Sequence, residues 1–149
     1  MRAACCAAAA LLLALLGAAG AAWPQTAACA KADFEAVVKE AGAALRELNG
    51  KNTPVFQAKL RQLKDKRSWS NEQFLKEAEP FVRDETIAGY DKTSEELVAR
   101  ITGAGQAETP AAPDCALLAG LRGALKTLIE TQQAKWTHMF AKIEKELEK

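Results

Sequence analysis

Side chains able to hold a metal or start a covalent reaction are scarce in this chain. It has one histidine, His138, and four cysteines. No pair of them stands at the short spacing of a zinc site. The Glu-x-x-His motif of di-iron bundles and the C-x-x-C-H motif of covalently attached haem are both absent. A b-type haem could use His138 or Met139 only with a second ligand from another helix. His138 instead flanks an apolar stripe carrying Trp136 and Phe140, a position suited to a hydrogen-bonded histidine. There is no G-x-S-x-G elbow, and no histidine lies near Cys29 or Cys115 in sequence. The expectation is a protein without catalytic residues, metal or cofactor.

Charge is the remaining chemistry. Asp84, Glu85, Asp91, Glu95 and Glu96 form an acidic stretch. It fails as a calcium loop, because Glu96 stands where glycine is needed and Thr102 where glutamate is needed. It reads as a solvated acidic edge. The basic run is denser: Lys59, Arg61, Lys64, Lys66 and Arg67 surround the single acid Asp65, and Trp69 follows. Five such cations could dock an acidic protein face or an anionic lipid. They could equally balance acids of the same chain. Trp69 could anchor a partner or staple onto the helix that follows it.

The first 22 residues set the compartment in which those charges act. Arg2 is followed by an apolar run to Leu16 and a small-residue tail, Gly17 to Ala22. That is the pattern of a secretory signal peptide, too short in its apolar core to span a bilayer. Cleavage after Ala22 or after Ala28 would suit a peptidase. Thr26-Ala27-Ala28-Cys29 faintly resembles a bacterial lipoprotein box, but Cys29 lies far from the apolar core and Thr26 stands where an aliphatic residue belongs. The chain carries 20 Lys and Arg against 19 Asp and Glu. Losing the leader removes Arg2 and leaves 19 of each, which argues against nucleic acid as a partner. Cys5 and Cys6 leave as well. In an oxidising compartment Cys29 and Cys115 become a candidate disulfide; the alternative is two buried thiols. A bridge would close a loop of about 86 residues. It would also place the starts of the first and last helices at the same end of the molecule.

The elements that position these groups are helices throughout. Phe34, Val37, Val38, Ala41, Leu45 and Leu48 recur at helical spacing, which predicts a first helix from Asp33 to Leu48, capped by Asp33 and stopped by Asn49-Gly50. Thr53-Pro54 predicts the start of a second, ending near Arg67. Ser70 to Gln73 has capping-box spacing and opens a third. Its apolar face is Phe74, Leu75, Ala78, Phe81 and Val82, with breaks expected before Pro80 and near Gly89-Tyr90-Asp91. Residues 103–113 read as a Gly/Pro linker. Pro113-Asp114 opens the longest helix, whose stripe passes through Leu118, Leu121, Leu125, Leu128, Trp136, Phe140, Ile143 and Leu147. Gln132 and Gln133 interrupt it, and either one facing the core would need hydrogen-bond partners.

The expected architecture is an all-α, antiparallel bundle of about four helices, the third broken near Pro80/Gly89 and the last one long. It forms a single domain over residues 23–149. The expected function is that of an exported, periplasmic or extracellular, non-catalytic protein that binds another macromolecule as an adaptor, inhibitor or chaperone-like protein. Lys59, Arg61, Lys64, Lys66, Arg67 and Trp69 are the candidate contact residues. The alternative is a carrier that holds a lipid or other small apolar ligand in a cavity near Phe74, Phe81, Ile87 and Leu125. The last helix could pack within the chain or seed a homodimer.

Overall fold

The computed structural model describes residues 29–106 and 114–149. The expected leader, and residues 107–113 of the expected linker, lie outside them. Four helices follow one another: α1 (Lys31–Lys66), α2 (Asn71–Val82), α3 (Glu85–Gln106) and α4 (Cys115–Glu148). At 1.5 Å per residue α1 and α4 are each roughly 50 Å long, and α2 with α3 together span about the same length. The fold is an all-α bundle with a long C-terminal helix.

A disulfide joins Cys29, just before α1, to Cys115, the first residue of α4, with Cα atoms 5.2 Å apart. Both long helices therefore start at one end. They stay in register along their length: Asn49 meets Trp136, Lys59 meets Glu144, and Lys66 meets Leu147. The chain returns between them. Asp84 contacts His138, Ser94 contacts Gln132, and Ile101 packs in one cluster with Leu121. So α3 runs antiparallel to α4, and α2 covers the far end. Each of α1 and α3 packs more extensively on α4 than on the other.

Two expected boundaries are absent. Asn49-Gly50 does not end a helix and Thr53-Pro54 does not start one, because α1 passes through both. Pro54 cannot donate to the carbonyl four residues earlier, which belongs to Gly50 on the exposed side. The Asn52 side chain donates to the Leu48 carbonyl at 2.8 Å. Asn49, expected as a stop, accepts the Trp136 indole N–H at 3.1 Å. Packing of both halves of α1 on one continuous α4 overrides the poor helix propensity of this segment. Asp33 lies inside the first turn and not at the cap; its carboxylate reaches back to the Ala30 N–H at 2.9 Å.

The break in the third expected helix falls at Arg83-Asp84, between Pro80 and Gly89. Helix α2 runs through Pro80 to Val82, where Arg83 turns extended. Gly89 lies within α3, and its carbonyl accepts the Thr93 hydroxyl. The Ser70–Gln73 capping box forms in both directions, at 3.2 Å and 2.8 Å. Asp114 caps α4 by accepting from the Leu117 N–H at 2.9 Å. The expected linker begins later than residue 103, since α3 continues to Gln106.

The buried residues form two clusters. One, at the disulfide end, contains Val37, Ala41, Ile101, Leu118, Leu121, Leu125 and Leu128. The other, at the far end, contains Phe56, Leu60, Leu63, Phe81, Ile87, Met139 and Ile143. Phe56 packs edge-on against Trp136 and Phe140, with centroids 5.9 Å and 5.5 Å away.

The bridge closes a sequence separation of 86 residues, so most of its stabilisation is expected from restricting the unfolded chain. Replacing both cysteines by serine, or reducing the native protein, should lower the denaturation free energy by about 2–4 kcal/mol. Guanidinium titrations with and without reductant measure this, and an unchanged midpoint would contradict it.

Candidate functional site

The basic run occupies the last two turns of α1, where it meets the end of α4. Three of its five cations turn inward to that helix. Lys59 pairs with Glu144 at 3.0 Å, Arg67 with Glu146 at 3.1 Å, and Lys66 donates to the Leu147 carbonyl at 2.5 Å. The last contact satisfies a carbonyl at a helix C-terminus, which lacks an intrahelical donor. Lys64 bonds the Asn71 side chain at 2.6 Å and lies over the Phe74 ring. Arg61 is exposed and makes no ion pair with a described residue. The acids that balance this run are therefore on α4, not in the stretch 84–96.

Trp69 is half-buried and packs on the far cluster together with Phe74. It stands immediately before the cap Ser70, and Phe74 is the fourth helical residue, so the two occupy the positions of a hydrophobic staple. Ser68 has φ 53°, the left-handed conformation that reverses the chain after α1. Next to this turn, Leu75 is 76% exposed and Val82 is 39% exposed. Helical spacing alone predicts both on the apolar face of α2. The buried side of α2 takes only Phe74, Ala78 and Phe81, so the seven-spaced pair Leu75 and Val82 is left facing outward.

Of the acidic stretch, Asp84 has a structural position that its neighbours lack. Its Oδ1 accepts the Ile87 N–H at 2.7 Å and caps α3. Its Oδ2 accepts from His138 Nε2 at 2.9 Å and from Lys142 Nζ. Lys142 also donates to the Pro80 carbonyl near the end of α2. One lysine of α4 thus holds both sides of the α2–α3 break. The Lys142 hydrogen bond first, then those from His138 and Ile87, keep the Asp84 carboxyl well below the usual carboxylate range.

Midway along the bundle the core turns polar. Ser94 is 7% exposed; its hydroxyl donates to the Tyr90 carbonyl at 2.8 Å and accepts from Gln132 Nε2 at 2.6 Å. Asp91 pairs with Lys135 beside it. Asn49, Asp91, Ser94 and Gln132 border an open cleft of about 440 Å³ between α1 and α3, whose apolar wall is Leu45, Val98 and Leu128. Gln132 faces the interior and finds its partner, whereas Gln133 lines a second cleft on the other side of α4. The Ser94 contribution is readable from sequence. Ile87, Ser94 and Ile101 repeat every seven residues, so a hydroxyl stands in the middle of an apolar heptad.

Among the described residues no group of three or more His, Cys, Asp or Glu could hold a metal ion. No described helix is long and apolar enough to cross a membrane. The chain matches no family model, no curated protein and no solved structure.

The lowered Asp84 carboxyl has a definite sign. A depressed carboxylate stabilises the fold above its ordinary value, 3.8, and that contribution is lost as the pH falls below it. Asn is an equally good cap, so Asp84→Asn removes the charge contacts and keeps the cap. The variant should melt several degrees lower at neutral pH, and its melting temperature should fall less steeply than wild type below pH 3.8. Matching acid profiles in thermal scans would show that these contacts contribute nothing.

Proposed function

We propose that this is an exported, non-catalytic helical protein that binds another macromolecule, as an adaptor, inhibitor or chaperone-like protein does. Its contact surface is the far end of the bundle. One observation carries this reading: Leu75, at 76%, is the most exposed large apolar side chain among the described residues. It sits beside Phe74, over which the basic segment extends Lys64. An exposed leucine next to an aromatic ring that carries a lysine over it has the composition of a protein-binding patch, with an apolar centre and a polar edge. The partner would present an acidic rim around an apolar pocket. Export follows from the leader pattern of residues 1–22.

The contact set is narrower than the sequence implies. Arg61, Leu75 and Val82 face outward, and Lys64 is held by Asn71 over the Phe74 ring. Lys59, Lys66 and Arg67 hold α4, and Trp69 supports the turn. The carrier alternative has less in its favour. Phe81 and Ile87 lie buried in the far cluster. The two clefts described are open and partly lined by charged residues.

A photo-crosslinking residue placed at Arg61 or Leu75 tests the surface directly, with Lys92 on α3 as the control. In the native compartment, adducts with a macromolecule are expected at the first two positions and not at the third, identified by mass spectrometry of protein and lipid. With the probe at Arg61, Leu75→Asp should abolish the adduct, and with the probe at Leu75, Arg61→Glu should weaken it, each while leaving the helical spectrum intact. Equal labelling at all three positions, or none at Arg61 and Leu75, sinks this reading.

A further inference from the structure

The seam between α1 and α4 is closed differently at its two ends. At the far end ion pairs cross it, Lys59 to Glu144 and Arg67 to Glu146. Nearer the disulfide the same seam opens into a cleft of about 570 Å³. Glu40 of α1 lines one side. Arg122, Lys126, Ile129, Glu130 and Gln133 follow one another along the α4 side, with Leu125 at the floor. Glu40 and Arg122 carry opposite charges and line one cleft, yet neither pairs with any described residue. Lys126 and Glu130 make only a long, exposed pair of 3.8 Å along their own helix, an interaction worth little and readily exchanged.

This surface is complementary to itself. A twofold axis running along the bundle would bring α1 of one copy against α4 of the other at the same height. Each Glu40 would then meet the other copy's Arg122, and the contact would be made twice. Isologous dimers need this kind of self-complementarity. Farther along α1, Val55 is 51% exposed, about four turns beyond Glu40 and roughly 60° round the helix from it. A formal charge of only +1 on the chain gives two copies almost no long-range repulsion. We propose that the α1–α4 seam around Glu40 and Arg122 is a self-association surface whose occupant is a second copy of this chain. It lies on a different part of the molecule from the Leu75 patch and does not depend on it.

Charge exchange tests the pairing. Sedimentation velocity over a concentration series is run on the protein with its disulfide intact. Wild type should pass from monomer to dimer. Arg122→Glu and Glu40→Arg should each weaken the dimer about tenfold or more, since each sets like charges face to face. Both side chains are exposed and pair with no described residue, so circular dichroism should report an unchanged fold. An equimolar mixture of the two single variants should dimerise again, because one subunit then carries two acids and the other two bases. The double variant, Glu40→Arg with Arg122→Glu, should also dimerise. A wild type that stays monomeric throughout, single variants that associate as tightly as wild type, or a mixture that fails to recover would each overturn the proposal.

Discussion

The Cys29–Cys115 bridge fixes where everything else can go. It ties the two long helices together at their first turns, so they must leave that point side by side and in the same direction. Two parallel helices cannot be joined by a short loop. The chain has to travel back along the whole length, and α2 and α3 together supply that return. The bridge also sets the register. With α1 and α4 starting level, Phe56 comes to the height of Trp136 and Phe140, and the basic end of α1 comes to the height of Glu144 and Glu146. Ion pairs of this exposed kind stabilise weakly. Here they complete an alignment that the covalent link and the apolar clusters already impose.

The polar middle layer follows from the same alignment. An uninterrupted apolar seam about 50 Å long would let helices slide by a turn at little cost. Ser94 against Gln132, and Asn49 against Trp136, bond well only at one offset. A slip would keep the Ser94 bond to Tyr90 but would separate its hydroxyl from the Gln132 amide, which would lose its partner in a partly buried position. Each of the two clusters thus has a fixed height along the axis. The price in stability is modest, because every member of the pair is satisfied.

Much of this was legible in the residues. The helical spacing of Leu118, Leu121, Leu125 and Leu128, the Ser70 box and the Asp114 cap each act through local geometry that sequence displays. The disulfide was inferable from compartment and cysteine count. Asn49-Gly50 and Pro54 misled because they are weak helix formers whose fate is set by a distant helix. A stop signal ends a helix only when nothing beyond it is worth reaching, and Phe56, Leu60 and Leu63 are worth reaching. Leu75 and Val82 misled in the opposite direction. Periodicity showed an apolar face on α2 but not how wide a surface was available to receive it. The basic run is a third case, since Glu144 lies 85 residues from Lys59 and Glu146 lies 79 from Arg67, and no spacing rule connects them.

That division of the basic run bears on how the far end can work. A partner that neutralised all five cations would have to compete with α4 for Lys59, Lys66 and Arg67, and would loosen the end of the bundle on which Trp69 and Phe74 rest. A partner that used Arg61 and the outward side of α2 would meet a surface already held in place. Lys142 contributes to that rigidity by bonding both the Pro80 carbonyl and Asp84. It fixes α2 at its far boundary while Lys64 fixes it at its start through Asn71. A short helix with one buried side chain would otherwise be a poor platform, and ordering it on contact would subtract from affinity. Anchored at both ends, α2 can present Leu75 and Val82 without that loss.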